Sequence, residues 1–597
     1  MQEYTNQADV DVPADANLTD MLWNNATNHP ATVVFSKRHG DTWTDVTAAE
    51  FAQQVKEVAG GLLAAGVQLG DRVAIMSKTR YEWGVADFAI WAVGGVGVPI
   101  YETSSAEQVQ WILSDSEAVA IFVESAKHAG IVADVQSATP ACRNVWQIEG
   151  GDLVTLAQQG SGTTDEQLAA RHRTLTSDTL ATIIYTSGTT GRPKGCELTH
   201  GNFLFDVYSV SQGAAHDFLN EQGSTLLFLP LAHVFGRVIQ LACFHNRARV
   251  GHTADIKNLV ADLGVFKPTF LLAVPRIFEK VYNASKQKAH AAGKGSIFDK
   301  AEHVAISYSE ALDSGGAGLA LRAQHALFDK LVYSKLRAAL GGRVEYCVSG
   351  SAPLGARLGH FFRGIGITIL EGYGLTESSA GAALNFPKSL RIGSVGRPVP
   401  GASARIAANG EILLKGPHIF RGYYKNPAAT REVFTDDGWF RSGDIGELDA
   451  DGYLRITGRL KEIIVTAGGK NVAPAVLEDR LRAHPLVSQC LVVGDQKPFI
   501  SCLVTIDADA FPAWVKAHEK PEGSTVADLV DDEDLRAEIQ AAVDEANKAV
   551  SQAESIRSFR ILPVDFTEEA GQMTPSLKLK RNVVMKDFAS AVDEIYG

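Results

Sequence analysis

Short apolar runs with two different periods succeed one another along this chain, one alternating and one helical. Residues 33–35 and 43–46 flank Gly40-Asp41 and predict a hairpin. Thr47 follows as a helix N-cap, with Glu50 three residues on to complete a capping box, and Phe51, Val55, Val58 and Leu62 fall on one face. Gly66 marks the stop. Runs at 73–76, 96–100 and 118–123 read as buried strands separated by helical patterns at 82–93 and 106–113, an alternation that predicts a doubly wound α/β layer. Further strands are expected at 180–184, 226–230, 270–273, 346–348 and 367–370. Helices are expected at 257–263 and 277–281, and a helical excursion over 284–340 is broken by a loop at 314–318. Between 438 and 474, Trp439, Asp444, Asp449, Asp451 and Gly452 stand in hairpin-like spacing before a smaller α/β pattern runs to the end. That change of texture places a domain boundary near Lys461, giving parts 1–460 and 461–597.

A length of 597 residues exceeds what one core holds, so at least two domains are required. A net charge of −13 repels nucleic acid, and an anionic substrate would have to be met by a local basic patch. The six cysteines are scattered, with no C-x-x-C pair and only Cys243 near a histidine, His245, which argues against zinc and disulfides and for reduced, buried thiols in the cytoplasm. Residues 1–12 are acidic and polar, unlike a signal peptide. The longest apolar run, 88–100, falls short of the roughly 20 residues of a membrane span. Peripheral membrane contact and oligomeric state stay open.

The densest chemistry follows the strand at 180–184. Residues 185–195 read Y-T-S-G-T-T-G-R-P-K-G, in which Gly188, Gly191 and Gly195 let the backbone approach a ligand while Thr186, Ser187, Thr189, Thr190 and Lys194 supply hydroxyls and charge. A Walker A loop is excluded because Arg192 and Pro193 separate Gly191 from Lys194, and Pro193 disfavours a helix starting there. A hydroxyl-rich flap is expected instead. The Gly94-Gly95-Val96-Gly97 cluster lacks the order of a dinucleotide fingerprint and reads as a helix-to-strand turn. Two later strands end in polar, glycine-bracketed loops, at 349–354 and 371–378, as ligand-binding strand ends do in open α/β sheets.

The 185–195 loop resembles the signature loop of the adenylate-forming superfamily, which includes acyl-CoA synthetases. Four more windows match that family in order and approximate spacing: the His233 segment, 349–354, 372–377, and 438–444 with Arg459. Another, T-P-S-L-K at 574–578, is similar to the P-[ST]-x-K of the family's catalytic lysine, with Leu577 where glycine is common. The resemblance implies a large N-terminal domain of doubly wound mixed sheets with a small β-barrel-like part, and a smaller, mobile α+β C-terminal domain. It also implies ATP, Mg²⁺ and coenzyme A as reactants. Thr186, Ser187, Gly188, Thr189, Thr190 and Lys194 would hold the β- and γ-phosphates, and Thr186 with Glu377 would position Mg²⁺. Gly372, Tyr373, Gly374 and Thr376 would bind the adenylate, Tyr373 stacking on adenine, while Asp444 beside Arg459 takes the ribose. Lys578 would bridge carboxylate and α-phosphate, His233 would orient the adenylate, and Lys461 would be the hinge that later brings Gly468 and Gly469 to the site.

The L-A-H-V-F-G form around His233, the V-P-R-I-F-E-K-V-Y stretch at 274–282, the helical excursion and G-R-L-K-E at the hinge resemble long-chain acyl-CoA synthetases. Gly350, Ser351 and Ala352 would leave an acyl channel open. The alternatives are a fatty acyl-AMP ligase serving a carrier protein, and a non-catalytic nucleotide-binding protein.

Overall fold

The computed structural model describes residues 2–8, 10–40, 42–186, 192–214, 217–256, 258–574 and 578–597. A seven-stranded sheet lies under the site, in which Arg72–Met76 runs between Val96–Ile100 and Ala120–Val123, all parallel. These strands are apolar on both faces because helices Tyr81–Ala92 and Ala106–Ser116 make the crossovers. Leu180–Thr186 extends the sheet parallel to Val96–Ile100, and Lys194–Thr199 returns antiparallel to it. No helix starts after Pro193, where strand Lys194–Thr199 begins; flap residues 187–191 lie outside the described ones.

In a second sheet Phe270–Ala273, Tyr346–Ser349 and Thr368–Tyr373 are parallel and Ala383–Leu384 and Arg397–Pro398 antiparallel. A four-stranded sheet joins Ser224–Leu227 and Arg249–His252 to the hairpin Val33–His39/Thr42–Thr47. A further sheet upstream of Lys461 is five-stranded and antiparallel and includes Phe440–Leu448 and Leu454–Arg459. Thr47 and Glu50 form the reciprocal capping box, and Phe51, Val55, Val58 and Leu62 are all buried.

Several boundaries differ from the sequence reading. The strand expected at 226–230 is Ser224–Leu227, since its partner Arg249–His252 ends opposite Leu227 and the chain then leaves the sheet. The strand expected to stop at 370 continues to Tyr373, because Gly372 and Tyr373 pair with Leu384 and Ala383. The helix expected at 277–281 is Pro275–Ala291, with Pro275 at its first turn where no N–H is missed. Helix Leu259–Phe266 starts later than expected, and Lys257 is outside the described residues.

Beyond Lys461 the chain builds its own core from Ile464 to Ile561, around strands Val487–Val493, Ile500–Ile506 and Ile556–Ile561 and helices Pro474–Arg482 and Glu533–Asn547. The large core upstream ends at Leu454. All six cysteines are free and buried. Among the described residues no helix is long and apolar enough to cross a membrane.

Candidate active site

A cavity of about 1720 Å³ opens where the two sheets and the C-terminal part meet. Thr186 and Lys194 face each other across the flap hairpin. The Lys194 ammonium lies 5.0 Å from the centre of the Tyr423 ring, whose hydroxyl donates to Glu377 Oε1 at 2.8 Å. Thr186 Oγ1 is 3.8 Å from Cys196 Sγ, and the Glu377 carboxylate adds to the burial that raises that thiol's pKa. Thr186, Lys194 and Glu377 therefore border one corner. Its hydroxyl and carboxylate are hard oxygen donors that suit Mg²⁺ completed by phosphate and water. Ser187, Gly188, Thr189 and Thr190 lie outside the described residues.

At another part of the cavity Asp444 and Arg459 are cross-strand partners, and Arg459 Nε donates to Asp444 Oδ1 at 2.8 Å. Tyr373 donates its hydroxyl to Asp444 Oδ2 at 2.6 Å, and burial followed by that carboxylate raises the phenol's pKa. The loop after Tyr373 admits no side chain at Gly374, where a Cβ would sit 1.7 Å from the Ala380 carbonyl oxygen. Thr376 and Glu377 follow in a short 3-10 turn, Thr376–Ser378. Gly350 fits against the Phe235 ring, 3.3 Å from where its Cβ would be, and Ser351 takes a left-handed φ of 74° as the strand Tyr346–Ser349 turns off.

His233 is the N-cap of helix Val234–His245, its Nδ1 accepting from the Phe235 N–H at 3.2 Å. Burial first, then the Lys578 charge, push its pKa down to about 3. The imidazole is thus neutral, and with Nδ1 accepting, Nε2 carries the proton. Lys578 lines the cavity, and its backbone N–H donates to Thr574 Oγ1 at 2.9 Å. Burial and then Arg459 lower its pKa, while Asp444, Glu377 and Glu462 oppose them, so this one ammonium feels both corners of the cavity.

Thr186, Lys194, His233, Gly350, Ser351, Ala352, Gly372, Tyr373, Gly374, Thr376, Glu377, Asp444, Arg459, Lys461 and Lys578 all line this cavity. Gly468 and Gly469 do not: they form an exposed turn, Gly469 at φ 76°, between Ile464–Val465 and Asn471–Val472.

An apolar branch runs inward between helices His200–Ala214 and Val234–His245, lined by Val210, Ala214, Val238 and Ala242. Phe218, stacked 5.2 Å from Tyr346, lines the cavity as well. From Asp206 to Ala214 helix rise alone spans on the order of 12 Å. Asp206 accepts from the Gly381 N–H at 2.8 Å, and burial pushes its carboxyl well above the ordinary carboxylate range. Neither Asp206 nor Tyr423 was signalled by a motif. The spacing 206, 210, 214 on one helical face is the trace that could have found the first.

The AMP-binding enzyme family matches residues 22–424, and the AMP-binding enzyme C-terminal domain matches residues 461–597. "Long-chain-fatty-acid--CoA ligase FadD15" of Mycobacterium bovis is 56% identical across 100% of both chains, and that of Mycobacterium tuberculosis is 55% identical with the same coverage. "Long-chain-fatty-acid--CoA ligase ACSBG2" of Xenopus laevis is 30% identical over 94% of this chain and 81% of its own. Among solved structures, the A domain of a carboxylic acid reductase from Segniliparus rugosus, in complex with AMP and a carboxylic acid, superposes with a TM-score of 0.74 at 21% identity, covering 97% of this chain and 94% of that one.

Proposed function

The chain belongs to the AMP-binding enzyme family, and on that premise we infer that it is a long-chain fatty acid–CoA ligase. In the first half-reaction a fatty carboxylate oxygen attacks the α-phosphorus of ATP, forming the acyl-adenylate and expelling pyrophosphate. In the second, the coenzyme A sulfur attacks the adenylate carbonyl, releasing AMP and leaving acyl-CoA. The reading of individual residues rests on one observation: a corner with Thr186, Lys194 and Glu377, an Asp444–Tyr373 corner and an apolar branch share a single cavity into which Lys578 reaches.

Asp444 accepts from the ribose hydroxyls, held by Arg459, and Tyr373 packs its ring on adenine. Lys194, with the flap residues 187–190, grips the terminal phosphates. Lys578 neutralises charge gathering between carboxylate and α-phosphate, the step where phosphoryl transfer most requires it. Thr186 and Glu377 would hold Mg²⁺, which would supply further neutralisation of the phosphates. His233 donates its Nε2 proton toward the acyl oxygen and keeps the adenylate facing the channel. The acyl tail fills the apolar branch, and Gly350, Ser351 and Ala352 leave its mouth open.

Lys578 obstructs the side from which a thiol would approach. The C-terminal part therefore swings about Lys461 between half-reactions and presents the Gly468–Gly469 turn in the lysine's place. The buried, reduced thiols favour the cytoplasm as compartment.

The test is pyrophosphate release across a panel of acids, with and without coenzyme A. Release that depends on long-chain acid, with acyl-CoA formed when coenzyme A is present, supports the reading. Adenylate formed without any thioester would instead identify an acyl-AMP ligase, and no acid-dependent release would leave a nucleotide-binding protein.

A further inference from the structure

The V-P-R-I-F-E stretch at 274–279 takes no part in the site described, yet its arginine crosses to the C-terminal part. Arg276 stands in the first turn of helix Pro275–Ala291, where a cation opposes the helix dipole, so its charge is not there to stabilise that helix. Instead one guanidinium nitrogen, Nη2, donates to Ser488 Oγ and to Asp507 Oδ2, each at 3.2 Å. Nη1 reaches back to Glu279 Oε2 at 3.5 Å.

The acceptors are prepared for this contact. Asp507 Oδ1 is taken by the N–H groups of Asp509 and Ala510, which aims Oδ2 outward. Ser488 donates to Asp565 Oδ2 at 2.5 Å, and Asp565 Oδ1 accepts from Thr505, tying the anchor to the sheet of the C-terminal part. Arg276 and Asp507 are 14% and 18% exposed, a degree of burial at which a charge-assisted contact keeps more of its strength than on an open surface.

We propose that Arg276 is a positioning residue that latches the C-terminal part onto Ser488 and Asp507 in the arrangement that brings Lys578 into the cavity, and that this latch opens before the thioester step. The inference rests on the two-arrangement reading above. An enzyme that alternates must keep its two arrangements near balance, so weakening the contacts of one shifts the partition directly. Loss of a charge-assisted pair of this kind shifts such a balance by roughly tenfold.

The experiment uses the full-length enzyme with Arg276→Ala and, as the gentler change, Asp507→Asn, which keeps Oδ1 for its two backbone donors. Two rates are measured: hexadecanoate-dependent ATP–pyrophosphate exchange, and coenzyme A-dependent conversion of synthetic hexadecanoyl-adenylate. Both variants should lose roughly tenfold in exchange while converting supplied adenylate at the wild-type rate or faster. Equal losses in both rates, no loss in either, or a loss confined to the thioester rate overturns the latch. A wild-type enzyme without exchange would sink the ligase reading itself, whereas an active wild type with unselective variants sinks this inference alone.

Discussion

Replacing Lys578 by alanine should separate the two half-reactions. In the structure this ammonium is desolvated and repelled by Arg459, with Asp444, Glu377 and Glu462 only partly compensating. At rest it is therefore uncomfortable, and the arriving carboxylate and triphosphate supply the anionic charge it lacks. Removing a preorganised group of that type costs about 2.7–4 kcal/mol of transition-state stabilisation, or 10² to 10³ in the rate of adenylate formation. Because the alanine also relieves the repulsion of Arg459, folding stability should stay near that of the parent. ATP binding should persist, since Tyr373, Asp444 and Lys194 are untouched. The assay is single-turnover pyrophosphate release with ATP and hexadecanoate, beside nucleotide binding by calorimetry and thioester formation from supplied adenylate. Pyrophosphate release within a few-fold of wild type, or an equal fall in the thioester rate, would refute the assignment. The lowered lysine pKa adds a sign: ammonium-dependent release should decline on the alkaline side earlier than an ordinary lysine, with its usual value of 10.5, would require.

Three other perturbations test separate parts of the structure. Gly374→Ala forces a Cβ to within 1.7 Å of the Ala380 carbonyl oxygen, so the nucleotide loop must move, and ATP affinity measured by calorimetry should fall more than the acid's. Arg237→Met strands the buried Asp87, which now receives two guanidinium bonds at 2.8 and 2.5 Å, and should cost about 3–5 kcal/mol in denaturant titrations; adding Asp87→Leu should recover much of that loss. Glu371, from the strand Thr368–Tyr373, and Asp479, from helix Pro474–Arg482, line the cavity from its two sides, each pushed up to about 7 with burial as the leading cause. The Leu354 N–H and Arg482 pull the other way for Glu371 and Asp479 respectively, and Glu478 and Glu279 add like charge around Asp479. Across the boundary the Asp479 charge raises Glu371 and the Glu279 charge raises Asp479, so these carboxyls favour docking while they hold their protons. Docking is therefore fully favoured below the ordinary carboxylate range and weakens as pH rises through about 7. A distance probe across the two parts should show more separation above that pH, and a flat profile would count against the pair.

Local chemistry was legible in the sequence wherever it was self-contained. The Thr47–Glu50 box and the apolar face behind it are complete within sixteen residues, from Thr47 to Leu62, and the strands Val96–Ile100 and Phe270–Ala273 stand where their apolar runs put them. Strand ends were not legible when a distant partner set them: Ser224–Leu227 stops with Arg249–His252, and Tyr373 is held in its sheet by Ala383. The family windows located Tyr373, Glu377, Asp444 and Lys578, but not what joins them. Tyr423 reaches Glu377 across 46 positions and Asp206 reaches Gly381 across 175, and no periodicity in one segment reports on such a meeting. Arg276 shows the same gap, since its stretch resembles the family locally while its partners Ser488 and Asp507 lie more than 200 positions away.

The sulfur content of this protein carries a chemical consequence. Burial raises the thiols of Cys142, Cys196, Cys243, Cys347 and Cys502, the first to about 11, so at neutral pH hardly any of their thiolate exists. A catalyst that prepares mixed anhydrides for capture by a thiol thereby withholds these five sulfurs from the electrophile, and their acylation has little to compete with the incoming acceptor.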